Sequence, residues 1–180
     1  MAVSDTARSH QLQLLPGDIV CTSNPMAIGR LITAVERFWS SDDEAKYSHS
    51  LIIITRTGLT LEALWTVKSQ RLHDAYRGDK IAVYRYSGMS QRAFRAGLDA
   101  AAAHYGNWYP LHKLITNLIP PIGKYLATKN RLICSELVGK FLRYAGVPGF
   151  HNYLGLTPDV ISDRCSQYEG WVTVFEGVLE

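Results

Sequence analysis

Two apolar runs in the first half of the chain follow each other across a short polar turn. Residues 48–55 read SHSLIIIT, residues 59–67 read LTLEALWTV, and the segment Arg56–Thr57–Gly58 lies between them. β-Branched runs that are joined by a short glycine-containing turn are typical of a β-hairpin. Further apolar or alternating runs predict three more strands, at residues 19–22, 80–86 and 171–175.

Three longer segments carry apolar residues at the three- and four-residue spacing of an amphipathic helix. They are residues 25–40, 91–105 and 133–145, and residues 157–162 predict a short capped helix. The predicted strands are concentrated in the first half of the chain, and helices lie on both sides of them. This distribution favours an α+β fold over a doubly wound parallel sheet.

The chain shows no internal repeat and no low-complexity linker, so we expect one domain over residues 15–180 after a polar tail at residues 1–14. Residues 106–130 are aromatic, apolar and interrupted by prolines, and they show no periodicity. The longest apolar stretch, residues 111–126, contains two lysines and two prolines. We therefore expect no transmembrane helix there.

The amino-acid composition favours some classes of protein and excludes others. The chain of 180 residues is 47% hydrophobic and 19% charged, which suits a domain with a sizeable core and does not suit a disordered chain. Its 19 lysines and arginines against 16 aspartates and glutamates make it only mildly basic, so we expect no nucleic-acid partner. Its three cysteines do not make a disulfide framework and are typical of a reducing compartment.

The N-terminal residues are relevant to the localisation of the protein. Residues 1–12 are polar and lack the apolar run of an export signal. We therefore expect a cytoplasmic protein, unless a phage particle, cell lysis or a secretion system delivers it elsewhere.

Cys134 is the sharpest chemical signal, because it lies at the predicted start of the third helix. A thiol at that position faces free backbone amides and the positive end of the helix dipole, and both favour the nucleophilic thiolate. The alternative is a buried structural cysteine on an apolar helix face. We assign that structural role to Cys21, in an early strand, and to Cys165, in a polar C-terminal loop.

A cysteine nucleophile needs a base and a group that orients the base. His49 opens the first strand of the predicted hairpin, and Glu62 is the lone carboxylate inside the second strand. In the hairpin, His49 and Glu62 lie within a few residues of directly opposite positions. The register of the hairpin therefore decides whether the Glu62 carboxylate accepts a hydrogen bond from His49 Nδ1. The alternatives are a structural histidine and an outward-facing glutamate. The sequence lacks the CxxC, HxxxH and HExxH spacings of a zinc site, so we expect neither a metal nor a cofactor.

These residues also carry a family resemblance. RLICSELV at residues 131–138 resembles the nucleophile helix of the circularly permuted, NlpC-like branch of the papain-fold cysteine hydrolases, which is related to the lecithin:retinol acyltransferase group. The chain order of histidine, acid and cysteine is that of the permuted branch, since unpermuted papain-like enzymes place the cysteine first. The other matching positions, in order, are Pro16–Gly17–Asp18, Ser48–His49, Glu62–Ala63, Tyr109 and Thr157–Pro158–Asp159.

The resemblance implies a papain-like antiparallel sheet packed by helices and a thiol hydrolase that works through an acyl-enzyme. Cys134 would attack a carbonyl, His49 would shuttle the proton and Glu62 would orient His49. The backbone amide of Cys134 would donate to the oxyanion. Ser135 and Glu136 are interpreted as structural neighbours, with Glu136 capping the helix start and facing solvent.

The substrate is the least determined property. The first choice is an amide bond in a peptide, with bacterial cell-wall peptide implied by the family. The alternatives are a fatty-acyl ester or thioester hydrolase or acyltransferase, and a catalytically inactive binding module on the same scaffold. The chain departs from the family pattern at Ser50, where a small apolar residue is more common, and in lacking an aspartate after Tyr109. We expect Trp108 and Tyr109 to contact the substrate, in a segment that forms a lid, an acyl-binding surface or core.

Overall fold

The computed structural model describes residues 12–23, 46–107 and 133–180, and within these ranges the chain forms six strands and four helices. The helix expected at residues 25–40 lies outside the described residues. The strands are β1 (Ile19–Thr22), β2 (His49–Ile53), β3 (Thr60–Ala63), β4 (Val67–Lys68), β5 (Lys80–Tyr86) and β6 (Trp171–Val178). The helices are α1 (Leu72–Tyr76), α2 (Gln91–Ala102), α3 (Cys134–Tyr144) and α4 (Pro158–Gln167).

The six strands form one antiparallel sheet in the order β4-β3-β2-β1-β5-β6. β1 is central and pairs with β2 through Thr22 opposite His49, and with β5 through Val20 opposite Val83. The strands come mostly from the first half of the chain, and the helices that pack against them come mostly from the second half. The α+β class predicted from the sequence is confirmed.

Helices cover both faces of the sheet. On one face, strand residues such as Cys21 and Ile52 pack against Leu137 and Phe141 of α3. On the other face, Leu51 and its neighbours pack against α1. All five residues of β2 are buried, which is why Leu51, Ile52 and Ile53 follow one another without alternating with polar residues.

The predicted hairpin is present, but its second run is not one strand. β2 and β3 pair with Ile52 opposite Leu61 and Ile53 opposite Thr60. The chain then reverses after Ala63, which pairs with Val67 of β4. The sequence of residues 59–67 does not reveal this reversal, because apolar residues lie on both sides of it and the turn itself carries the half-exposed Trp65.

Close packing of α2 on α3 sets the position of the cysteine-bearing helix. The Ser90 hydroxyl accepts the Ala93 N–H at 3.1 Å and caps α2 as predicted. A Cβ atom at Gly97 would lie 2.6 Å from the Phe141 carbonyl oxygen, so only glycine permits this approach of the two helices. Within the part of the chain that the structure describes, no helix is long and apolar enough to span a bilayer.

Candidate active site

Helix α3 begins at Cys134, as predicted, and buried polar contacts hold its first turn. The Glu136 carboxylate accepts the Ile133 N–H at 3.2 Å and the Gly155 N–H at 2.9 Å, and the Ser135 hydroxyl donates to the Leu156 carbonyl. Glu136 was expected to cap the helix, which is confirmed, and to face solvent, which is wrong. It is fully buried because backbone amides from two segments converge on its two oxygens.

His49 is held at the start of β2 by contacts on both sides. Within the sheet it lies opposite Thr22 of β1. The segment that leads into it is tied down by Asp159, whose carboxylate accepts the N–H groups of Lys46 at 3.1 Å and Tyr47 at 2.9 Å. The Thr-Pro-Asp segment at the start of α4 therefore positions the candidate base, although it is far from it in sequence.

The Pro-Gly-Asp turn before β1 has a similar supporting function. The buried Asp18 carboxylate accepts Nε and Nη2 of Arg85 at 2.7 and 2.8 Å, and the Leu15 N–H at 2.7 Å. Gly17 adopts a positive φ of 96°, which favours glycine. The turn thus fixes β1, the strand that carries Thr22 opposite His49, against β5.

The register of the hairpin brings Glu62 to His49. Continuing the pairing of Ile53 with Thr60 places Glu62 opposite Leu51, on the same face of the sheet as His49 and two positions along. The His49 Nε2 and Glu62 Oε2 atoms lie 2.8 Å apart, and both side chains are almost completely buried. The expectation that Glu62 holds Nδ1 is therefore wrong, and Nδ1 is the ring nitrogen left for the cysteine.

Two more side chains bind the Glu62 carboxylate. The Thr60 hydroxyl donates to Oε1 at 3.0 Å, and the Tyr76 hydroxyl donates to Oε2. Burial raises the pKa of Glu62, but its hydrogen bonds to His49, Tyr76 and Thr60 outweigh that effect and lower it below its ordinary value. The carboxylate is therefore held ionised although it is buried.

Cys134 completes the group on the other side of the imidazole. Burial lowers the pKa of His49, but electrostatic and hydrogen-bonding interactions with Cys134, followed by those with Glu62, raise it from 6.5 to about 10. His49 is therefore an imidazolium at neutral pH, next to a thiol at a helix N-terminus. The structure brings the three predicted residues Cys134, His49 and Glu62 together.

Sequence reasoning missed Tyr76, which ends α1. Its ring is stacked on the His49 ring with the centroids 6.0 Å apart and the planes inclined by 20°. The signal in the sequence is small: Leu72 and Tyr76, four residues apart, are the large apolar residues of the otherwise polar segment RLHDAYRGD.

The other two cysteines lie in the core. Cys21 is fully buried with its sulfur 3.7 Å from the Pro158 carbonyl oxygen, and Cys165 is 1% exposed. Burial raises the pKa of both thiols, which keeps them protonated and unreactive. The structural role predicted for them agrees with this, but the loop predicted for Cys165 is wrong, because it lies in α4 and faces the core one turn after Ile161.

Two further predictions concern the substrate contacts and a metal site. Trp108 and Tyr109, the predicted substrate contacts, lie outside the described residues. Within residues 12–23, 46–107 and 133–180, no group of three or more histidine, cysteine, aspartate or glutamate side chains is arranged to hold a metal ion.

Comparison with known proteins identifies the fold alone. No protein-family model matches the sequence, and no curated protein is significantly similar to it. Among solved structures, the chain is similar to the metalloprotein yiiX from Escherichia coli O157:H7, described as DUF1105, with a TM-score of 0.63 and 17% sequence identity. The match covers 92% of this chain and 99% of that chain.

Proposed function

We propose that this protein is a cysteine hydrolase with a permuted papain-like fold, acting through an acyl-enzyme on Cys134. The observation that carries the proposal is the buried 2.8 Å contact between His49 Nε2 and Glu62 Oε2, with Cys134 as the other partner of the imidazole. The arrangement holds a charged imidazole next to a thiol at the start of a helix. Nucleophile, base and orienting acid are the three groups that thiol-dependent acyl transfer requires.

In the first step, Cys134 reacts as the thiolate of a thiolate–imidazolium pair with His49, and its sulfur forms a bond to the carbonyl carbon of the substrate. The carbonyl oxygen takes up the negative charge and accepts a hydrogen bond from the Cys134 backbone N–H, which faces outward from the start of α3. The bond from carbon to the leaving group then breaks, and His49 gives its Nδ1 proton to the departing amine. The products are a thioester on Cys134, a free amine and a neutral His49.

In the second step, water attacks the thioester while His49 Nδ1 takes one of its protons. The bond from carbon to sulfur breaks and releases a carboxylic acid, and the thiolate and the imidazolium are restored. Throughout both steps the Glu62 carboxylate remains on Nε2, where it stabilises the charged ring and leaves only Nδ1 to exchange protons.

For the substrate we propose an amide bond in a peptide, with bacterial cell-wall peptide as the first candidate. The support is the resemblance of residues 131–138 and of the ordered His49 and Glu62 to the NlpC-like branch. The solved neighbour shares the fold at low identity and bears on neither substrate nor activity.

The covalent intermediate itself reports the substrate class. We expect protein that is incubated with bacterial lysate and quenched in acid to carry a peptidyl or aminoacyl adduct on Cys134, read by mass spectrometry of the peptide containing this residue. Cys134→Ala is the control for non-specific labelling. A fatty-acyl adduct would replace the peptide substrate by a lipid ester or thioester. A thiol that forms no adduct and reacts with iodoacetamide no faster than free cysteine would contradict the hydrolase and favour a binding module.

The description of the solved neighbour as a metalloprotein makes chelation a useful second test. The donor set here does not fit a metal centre, because His49 Nε2 and Glu62 Oε2 bond to each other and the described residues form no larger cluster of ligands. We expect turnover to be unchanged after dialysis against EDTA. Activity that is lost on chelation and restored by zinc would contradict the thiol mechanism.

A further inference from the structure

Tyr76 contacts two members of the candidate site at once. It is 2% exposed, its hydroxyl donates to Glu62 Oε2, and its ring is stacked on His49. Glu62 Oε2 is the same oxygen that faces His49 Nε2. Tyr76 is therefore placed to influence both the charge of the Glu62 carboxylate and the orientation of the His49 imidazole.

The hydrogen bonds of Glu62 show why this hydroxyl matters. A buried carboxylate is unfavourable unless donors compensate it. The Thr60 hydroxyl has one proton but lies 3.0 Å from Glu62 Oε1 and 2.9 Å from the Gln70 carbonyl oxygen, so its donation is shared. Tyr76 has its proton directed to Glu62. Burial also raises the pKa of Tyr76, so its hydroxyl remains a donor throughout the range in which the site works.

We propose that Tyr76 is a positioning residue of this site, whose hydroxyl keeps Glu62 ionised and whose ring holds the His49 imidazole in line with Cys134. This inference rests on the proposed function, since it assigns a role within the Cys134–His49–Glu62 group. In this role Tyr76 acts through Glu62 and His49.

A purely structural tyrosine would behave differently. Tyr76 also packs with Leu72 and Leu51 in the core on this face of the sheet, and loss of that packing would lower stability equally at every pH. Loss of the donated hydrogen bond instead raises the pKa of Glu62, since this bond is among those that lower it. Glu62 then becomes neutral at a higher pH, the imidazolium loses its counter-charge, and alkylation of Cys134 becomes slower on the acid side.

The other ionisable residues around Glu62 are the same in Tyr76→Phe and in the wild type. His49 on β2 and Cys134 on α3 are the titrating partners already described. Lys68 lies opposite Glu62 on β4, and His73 and Asp74 on α1 are exposed. None of these residues changes in Tyr76→Phe, so a shift in the pH profile reports the hydroxyl.

The experiment compares Tyr76→Phe with Tyr84→Phe. Tyr84 is a matched control because its buried hydroxyl also makes a side-chain hydrogen bond, at 2.6 Å to Ser162 Oγ, in the core on the other face of the sheet. The rate of iodoacetamide alkylation of Cys134 is measured by mass spectrometry across acid and neutral pH. We expect the acid limb of the pH–rate profile of Tyr76→Phe to lie about one pH unit higher than that of the wild type, because a hydrogen bond to a charged group is lost. On that limb the rate of alkylation should fall about tenfold. The profile of Tyr84→Phe should coincide with that of the wild type.

The outcomes separate this inference from the function on which it rests. A Tyr76→Phe profile that coincides with the wild type, or that is slower by the same factor at all pH values, would overturn the positioning role. A wild-type Cys134 that reacts no faster than free cysteine would instead contradict the proposed hydrolase. If Tyr76→Phe does not fold, Thr60→Val replaces it, with an expected shift in the same direction and of smaller size because its donor is shared. An unshifted Thr60→Val profile would then overturn the inference.

Discussion

Replacing Cys134 by alanine is expected to reduce turnover by at least ~10⁴-fold, in line with the loss of a catalytic nucleophile in other covalent hydrolases. In the proposed mechanism the sulfur forms the covalent bond to the substrate, and no other described side chain is placed to replace it next to His49. The fold should remain intact, because alanine keeps the helix start and the bonds of Glu136 to Ile133 and Gly155 do not involve the thiol. Steady-state turnover is measured beside a thermal melt of the same sample.

Cys21→Ala and Cys165→Ala are the matched controls for this substitution. Each removes a buried thiol of the same size, and both residues pack in the same core as Leu137 and Phe141. We expect these variants to keep most of their turnover and to melt at a lower temperature, because a small cavity replaces each sulfur. Loss of activity in Cys21→Ala with full activity in Cys134→Ala would show that the nucleophile is assigned wrongly.

His49→Ala should have the next largest effect, a loss of turnover of about 10²- to 10⁴-fold, as expected for a general acid and base. In the proposed mechanism this variant lacks both the proton donor for the leaving group and the positive charge beside the Cys134 sulfur. Alkylation of Cys134 by iodoacetamide in acid should therefore be slower in this variant than in the wild type. Turnover and the alkylation profile are measured on the same preparation.

The pH dependence of stability gives a second readout for His49. Burial lowers its pKa, but Cys134 and Glu62 raise it from 6.5 to about 10 in the folded protein. A raised folded-state pKa stabilises the fold fully below about pH 6.5, and this stabilisation is lost as the pH rises through about 10. The wild type should therefore lose more stability than His49→Ala between these limits, as measured by melts at several pH values.

His104→Ala is the control for the removal of a buried histidine outside the candidate site. His104 is 8% exposed and contacts Lys140 and Asn107, and none of the three is a member of the candidate site. We expect this variant to retain the wild-type alkylation profile. An unchanged profile in His49→Ala would mean that His49 and Cys134 do not form a thiolate–imidazolium pair.

The sequence by itself determined the local elements and the identity of the three candidate residues. The hairpin follows from two apolar runs across a glycine turn, and α2 follows from the Ser90 cap and its apolar face. The position of Cys134 at a helix start follows from the apolar stripe that begins there. These features depend on which side of a local element is buried, and residue spacing carries that information directly.

Register and long-range contacts were decided only by the tertiary structure. The same apolar pattern suits more than one hairpin register, and the observed one puts Glu62 on Nε2 of His49, where Nδ1 was expected. The break between β3 and β4 is not evident from the sequence either, because apolar residues flank it, with Ala63 before the turn and Val67 after it.

The burial of polar groups also needed the tertiary structure. Glu136 is polar and sits in the first turn of a helix, which by itself suits solvent, yet the Gly155 amide from a distant loop reaches it and makes burial favourable. Tyr76 lies 14 positions from Glu62 on a five-residue helix, and only the packing of α1 on the sheet brings its hydroxyl to that carboxylate. Spacing along the chain records which face of an element is apolar, whereas the partner of a buried polar group is set by how whole elements pack.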